Sequence, residues 1–318
     1  MTARDVYVHH FALSLGAHEY TLEESVAAAR THSSAQALSE AGFRRHRVAR
    51  ADQSAYDLAR AAVAPIAEAA TDAGAIIYAT CLPLNANIGS PARFHTTRDV
   101  KHLMDFPVSH LQADFGLDHA AAIGLGQQAC TSMLGSMRIA RALLRDEPEL
   151  GRILCVSADR FPQGAEYEQA YNLISDGAAA CVVSLVPRGY RIVACHQLTN
   201  GALAQATDDE TVGTYFSYTA RLLRETLAKA GLAPGQIDWV VPQNTHVKAW
   251  TILARLVGLP EERVFFRTIG EIGHVISADN VANMIALERD VALAPGARLL
   301  LPMAGFGLNW QAVILEKL

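Results

Sequence analysis

Apolar residues in this chain fall into two rhythms. Short apolar runs recur at residues 6–11, 75–80, 152–157, 177–185, 190–196, 238–242, 299–302 and 311–315. Runs of that length, bounded by glycine, proline or charge, read as buried strands. Between them lie longer stretches with a period near 3.6, at 53–70, 131–144, 215–230, 247–257 and 281–289, which predict helices. Within 131–144, Met133, Met137, Ala140 and Leu144 share one face, the mark of core packing rather than of a cofactor box. Gly258 and Pro260 close the helix at 247–257.

Strands alternating with helices predict an α/β fold. The order restarts after Pro187-Arg188-Gly189. That break predicts two halves, 1–186 and 187–318, duplicated in structure and only weakly repeated in sequence.

Composition narrows the class. Apolar residues make up 51% of the chain and charged residues 19%, which excludes a disordered protein. The net charge is -5, and Lys and Arg are scattered, so no nucleic-acid footprint is present. No apolar stretch nears a membrane span, and residues 1–5 lack the pattern of a signal peptide. A cytoplasmic location is the expectation. Five cysteines (81, 130, 155, 181 and 195) form no CxxC pair, so neither a zinc site nor a disulfide framework is expected. His9, His10, His95, His102, His110 and His119 lack metal-ligand spacing with acidic partners, so no metal is expected.

Cys130 carries the first chemical signal. It stands just before the predicted helix at 131–144, in Gly126-Gln127-Gln128-Ala129-Cys130-Thr131-Ser132. Unpaired N–H groups and the positive end of a helix favour thiolate over thiol, and the thiolate is the nucleophile. The competing reading is an inert buried thiol. That reading suits Cys155 and Cys181, inside strand runs, and extends to Cys195 and Cys81. Residues 124–129 also fit G-x-G-x-x-A, the dinucleotide fingerprint of a dehydrogenase. Residues 118–123 make a poor strand, however, and the fingerprint needs one there.

The ordered motifs point further. Ala129-Cys130-Thr131-Ser132-Met133 opens a helix, and Ala158-Asp159 ends a strand. Ser175-Asp176-Gly177, Gly273-His274 and Gly305-Phe306-Gly307-Leu308-Asn309-Trp310 follow in turn. Gly42-Phe43-Arg44-Arg45-His46-Arg47 supplies an N-terminal match. In this order and spacing the whole chain resembles the thiolase superfamily, specifically the β-ketoacyl-acyl-carrier-protein synthase III family. The resemblance implies a five-layer αβαβα fold, a homodimer and an acyl intermediate on Cys130. It implies no permanently bound cofactor and an acyl-CoA or acyl-phosphopantetheine donor. The partners it implies are a small-molecule acceptor and an acyl carrier protein. Gly305, Phe306 and Gly307 fall on the family's glycine-rich turn, whose backbone approaches the nucleophile.

Departures from the family pattern reshape the chemistry. The family carries a histidine after the proline of its Val-Pro loop, where this chain has Gln243, followed by Asn244, Thr245 and His246. The family carries an asparagine after the later glycine, where this chain has His274. Glutamine donates a hydrogen bond but accepts no proton as a base. His274, with Asp279 five residues on, suggests a Cys-His-Asp set like that of an acyltransferase branch of the family. Asp279 has a simpler reading as a helix N-cap, and His246 as a first-turn histidine. His246 is a second catalytic candidate, and Gln243 and Asn244 are candidate donors to a substrate carbonyl. Arg44, Arg45 and Arg47 would meet phosphopantetheine or an acidic carrier face, or form a solvated loop. The reading is an acyltransferase of specialised metabolism. The alternative is a decarboxylative carbon–carbon bond-forming ketosynthase; a non-catalytic partner subunit of a ketosynthase ranks below both.

Overall fold

The computed structural model describes residues 4–170, 172–305 and 309–318, leaving out the side chains of residues 208 and 209. Among these residues, nine strands build one mixed sheet. They are β1 (Tyr7–Leu15), β2 (Ala75–Ala79), β3 (Ala121–Leu125), β4 (Arg152–Asp159), β5 (Gly177–Ser184), β6 (Tyr190–Thr199), β7 (Trp239–Val240), β8 (Arg298–Gly305) and β9 (Asn309–Lys317). Their order across the sheet is β7-β8-β9-β6-β1-β5-β4-β2-β3. From β1 outward the pairings run antiparallel to β5, antiparallel to β4, then parallel to β2. From β6 outward they run antiparallel to β9, antiparallel to β8, then parallel to β7. The same pairing order therefore occurs twice, back to back, joined by two paired positions between β1 and β6.

Among the described residues, the longer helices that pack on this sheet are α1 (Ala55–Val63), α2 (Pro107–Asp114), α3 (Ser132–Asp146), α4 (Asp208–Ala230), α5 (Val247–Val257) and α6 (Asp279–Asp290). Successive strand residues point to opposite faces, and three cores result. Ile76, Leu154 and Ala178 pack with Leu58 of α1 and Leu111 of α2. Ile77, Cys155, Ala179, Leu299 and Val313 pack with Met133 of α3 and Met284 of α6, between the two sheet portions. Leu300 and Ile314 pack with Leu223 of α4 and Leu253 of α5. The layers are thus α, β, α, β, α, as the resemblance implies.

Several boundaries differ from the sequence expectation. The stretch 53–70 is broken, because Pro65 has no N–H to donate and the chain passes through a 3-10 turn at Ala64–Ile66. The expected helix at 215–230 begins earlier, at Asp208, behind a capping box in which Thr207 Oγ1 accepts from the Glu210 N–H at 3.3 Å. Strand β3 lies where residues 118–123 look unsuited to one. Its exposed alanines and glycine hide the usual pattern, and among the described residues it forms an open edge paired only with β2. No helix among the described residues is long and apolar enough to cross a membrane.

Candidate active site

Beyond β3 the chain turns through Gln127 (φ 62°) and Ala129 (φ 48°), both left-handed. Side-chain-bearing residues seldom adopt that conformation unless their surroundings hold them there. A 3-10 turn, Ala129–Thr131, then runs directly into α3, with Cys130 at its centre. Gln311 of β9 braces the turn, its Nε2 donating to Gln128 Oε1 at 2.7 Å and to Thr131 Oγ1 at 3.0 Å. Gly305, the last residue of β8, closes the other side. A Cβ at this position would lie 2.9 Å from both the Cys130 N and the Ala129 Cβ. Cys130 is partly exposed and lines a cavity of about 370 Å³ together with His274, Gln243, His246 and Phe216.

The first turn of α6 organises the opposite wall. Asp279 is fully buried. Its Oδ2 accepts from His274 Nδ1 at 2.5 Å and from the Asn244 N–H at 2.6 Å, while Oδ1 accepts from the Val275 N–H at 2.6 Å. Asn280 Nδ2 donates to the Val241 and Pro302 carbonyls, and Asn283 Nδ2 to the Pro242 carbonyl. One helical turn therefore fixes both the Val241–Asn244 loop and the His274 loop. Gly273 enters that loop at φ 63°, where a Cβ would come within 2.8 Å of the Leu173 carbonyl. His274 then forms a short bridge with residues 173–175: its N–H donates to the Leu173 carbonyl, and the Ser175 N–H donates to its carbonyl, both at 2.8 Å. Ser132 at the start of α3 and Ser277 share a hydrogen bond of 2.8 Å, which ties the two walls together.

Protonation follows from these contacts. Burial alone would lower the His274 pKa. The Asp279 charge and hydrogen bond, with the neighbouring Cys130, outweigh it and raise the value to about 10. With Nδ1 on Asp279, the other ring nitrogen is left for the cavity that Cys130 also lines. The Cys130 thiol is driven well below its ordinary value, first by a hydrogen bond from Cys81 and then by His274, against the cost of burial. Both directions favour a thiolate beside an imidazolium, with the Asp279 carboxylate holding the ring.

The other sequence candidates separate. Gln243 lines the cavity, and its Oε1 accepts from the Ala304 N–H, which turns its amide NH2 away from that contact. Asn244 does not line the cavity. Its Nδ2 donates to the Gly273 carbonyl at 2.8 Å, and its Oδ1 accepts from Thr268 and Asn283. The expectation that it meets a substrate carbonyl gives way to a scaffold role. His246 caps α5, its Nδ1 accepting from the Lys248 N–H at 3.2 Å, and also lines the cavity. Burial and then Lys248 lower its pKa. Asp279 is not the N-cap of α6; Ala278 occupies that position. Phe306 and Gly307 lie outside the described residues. Arg45 and Arg47 both pair with Glu19, at 2.9 and 2.5 Å, which leaves Arg44 as the unpaired basic group of that loop among the described residues.

Sequence reasoning missed several supports. His46 is buried, with one ring nitrogen on the Ile174 carbonyl at 2.6 Å and the other on Ser25 Oγ at 2.9 Å. It steadies the 173–175 segment to which the His274 backbone is hydrogen-bonded. Asn280, Asn283 and Gln311 likewise act through partners distant in sequence. Their one local signal is polarity inside otherwise apolar elements.

Two family descriptions match this chain. The description of 3-oxoacyl-[acyl-carrier-protein] synthase III matches residues 126–201, and that of its C-terminal portion matches residues 227–317. Together they span just over half of the chain. A β-ketoacyl-[acyl-carrier-protein] synthase III from Rhizorhabdus wittichii is 27% identical over 285 residues, covering 82% of each chain. Among solved structures, the 3-oxoacyl-(acyl carrier protein) synthase III FabH from Pseudomonas aeruginosa superposes with a TM-score of 0.82 at 21% identity, over 99% of this chain and 98% of that one. The acyltransferase ChlB3 superposes with a TM-score of 0.82 at 20% identity, again over 99% and 98%. Matching domains, a full-length fold and a cysteine at the head of α3 agree: the chain belongs to the 3-oxoacyl-[acyl-carrier-protein] synthase III family of condensing enzymes, within the thiolase superfamily.

Proposed function

We propose that this protein is a cysteine-dependent acyltransferase that moves an acyl group from a thioester to an oxygen, nitrogen or sulfur acceptor. The observation that carries the reading is the 2.5 Å contact between His274 and Asp279 beside Cys130. In the first half-reaction the Cys130 thiolate attacks the thioester carbonyl. The Cys130 N–H, beside Gly305, donates to the developing oxyanion. The donor C–S bond breaks, and the departing thiolate takes the His274 proton. In the second half-reaction neutral His274 accepts the proton of the acceptor X–H as X attacks the acyl carbon, and Cys130 leaves as a thiolate. Asp279 holds the ring in one tautomer and balances the charge that forms. The names of the family and its relatives, which specify an acyl carrier protein, support a thioester donor on a carrier protein, and the resemblance adds acyl-CoA, with no bound cofactor required.

A second reading rests on Gln243. Its amide and His274 both line the cavity, and two donors can stabilise the enolate left when a malonyl group loses carbon dioxide. That would make the protein a decarboxylative ketosynthase. Retention of Cys130 and His274 argues against a non-catalytic partner subunit. A homodimer is proposed as well, because β3 is an open edge and Leu84, Val100, Met104 and Phe106 are exposed apolar residues.

Intact-mass measurement after incubation with acyl-CoA and acyl-carrier donors tests the shared step. The wild-type protein should gain one acyl mass, and Cys130→Ala should gain none. Equal acylation of Cys130→Ala would refute both enzymatic readings. Carbon dioxide release from a malonyl donor would replace the first reading with the second.

A further inference from the structure

The far half of α3 borders a second cavity. Arg138, Arg141 and Arg145 stand there at i, i+3 and i+7, and so share one face of the helix. With Lys229 from the last turn of α4, they line a cavity of about 420 Å³ that also takes in Cys195 and Asp146. It shares no lining residue with the cavity at Cys130. Each guanidinium is tethered by one neutral acceptor. Arg138 Nη1 donates to Gln197 Oε1 at 2.9 Å, Arg141 Nη2 to the Val193 carbonyl at 3.2 Å and Arg145 Nε to the Arg4 carbonyl at 3.0 Å. Among the described residues none of the four cations forms an ion pair, and Asp146 pairs with none of them. Arg141 Nε is buried and has no hydrogen-bond partner among those residues.

Basic residues that are scattered along the sequence are thus gathered by the fold. Four cations around one cavity repel one another, and a buried guanidinium N–H without a partner costs free energy. Burial and then Arg141 lower the Arg145 pKa, in keeping with that crowding. An anion in the cavity would relieve both costs. We propose that this cavity binds a phosphate group, free or on a small phosphomonoester, at a site separate from the nucleophile. Phosphate presents several strong acceptor oxygens, and the arginine fork meets them in two parallel hydrogen bonds. Arg141 keeps its Nε–H for this contact, and Lys229 adds a point charge from the other helix. The volume falls within the range of small-molecule sites, about 300–1,000 Å³, so an organic group fits beside the phosphate. Nothing in this inference depends on the acyl chemistry of Cys130.

The test is calorimetric titration of the whole protein with inorganic phosphate and, separately, with glycerol phosphate, in chloride buffer at constant ionic strength. Saturable binding at one site per chain is expected. Tighter binding of the ester assigns the site to a phosphorylated small molecule, and tighter binding of phosphate assigns it to the free ion. Arg141→Gln should weaken the binding by about tenfold or more, the loss of a charge-assisted hydrogen bond. If Arg141→Gln fails to fold, Lys229→Gln, at an exposed position on α4, replaces it under the same criterion. No saturable heat with either probe overturns the proposal, and so does wild-type affinity in the variant.

Discussion

His274 Nδ1 and Asp279 Oδ2 lie 2.5 Å apart, and the same oxygen also accepts from the Asn244 N–H. The carboxylate therefore does two jobs: it orients the imidazole and anchors the loop that carries Gln243. Its replacement should separate the half-reactions. In Asp279→Asn the ring loses its fixed tautomer, and transfer to the acceptor should fall by about 10²- to 10³-fold. Acylation of Cys130 should fall less, because the thiolate exists before the donor arrives. Single-turnover acylation by intact mass, set against steady-state transfer, reads the difference. Equal losses in both steps would count against the assigned role.

The same ion pair fixes a pH dependence. A thiol held well below its ordinary value is fully ionised above its lowered pKa and loses reactivity only as pH falls through it. His274 keeps its proton up to about pH 10. Alkylation of Cys130 by iodoacetamide should thus vary by less than about twofold between about pH 6 and pH 9. In His274→Ala the midpoint should move up once the imidazolium is gone, and the rate should climb with pH across this window. A steep profile in the wild-type protein would mean that the ground state is a neutral thiol.

Much of the fold is legible in the sequence because apolar periodicity reports burial, and burial in three stacked cores leaves few other arrangements for runs such as 75–80 or 177–185. Strand β3 is not legible. It is an edge whose side chains are largely exposed, so packing leaves no pattern on Ala121, Ala122 and Gly124. Within the site, His274 and Cys130 stand out as residue types at informative positions. The role of Asn244 is hidden, since an amide beside Gln243 looks the same whether it faces a cavity or the Gly273 carbonyl. Cys81 reads as core because nothing in Thr80-Cys81-Leu82 reveals that its N–H is held by the Asp159 carboxylate, 78 positions away.

Asn244 supplies a structural prediction. Its side chain links Gly273, Thr268 and Asn283, all buried or backbone partners. Asn244→Ala leaves those groups without their partner, at a cost of about 2–3 kcal/mol. Thermal unfolding should shift down by several degrees, and transfer should weaken through the displaced His274 loop. An unchanged melting temperature would mean that water replaces the amide without loss.

His46 predicts how stability responds to acid. Burial lowers its pKa to about 4, opposed by the hydrogen bond to the Ile174 carbonyl. Between about pH 6.5 and 4 the unfolded chain binds a proton that the folded chain refuses, so stability rises with pH through this window and is lost as pH falls. Fully developed, the effect is about 3 kcal/mol. His9, also lowered to about 4 by burial, adds in the same direction. Denaturant unfolding of His46→Gln should therefore show a shallower slope than the wild type across this range. An identical slope would assign the acid sensitivity to other groups.

Gly305 tests how tightly the nucleophile is held. A Cβ there meets the Cys130 N and the Ala129 Cβ at 2.9 Å, and neither can swing aside as the end of a flexible side chain would. The Cys130 turn already contains two left-handed residues and is pinned by Gln311, so the strain of Gly305→Ala must shift the turn itself. The expected cost is about 1–3 kcal/mol of stability, as for an overpacked core. The loss of acylation rate should be larger than that cost alone would give, about 10²-fold, because displacing the Cys130 N–H removes a donor aimed at the oxyanion. Gly296→Ala is the comparison: Gly296 has a positive φ but nothing within 4 Å of an added methyl, so it should lose stability without losing acylation. If both variants acylate at the wild-type rate, the approach of β8 to Cys130 is packing and nothing more.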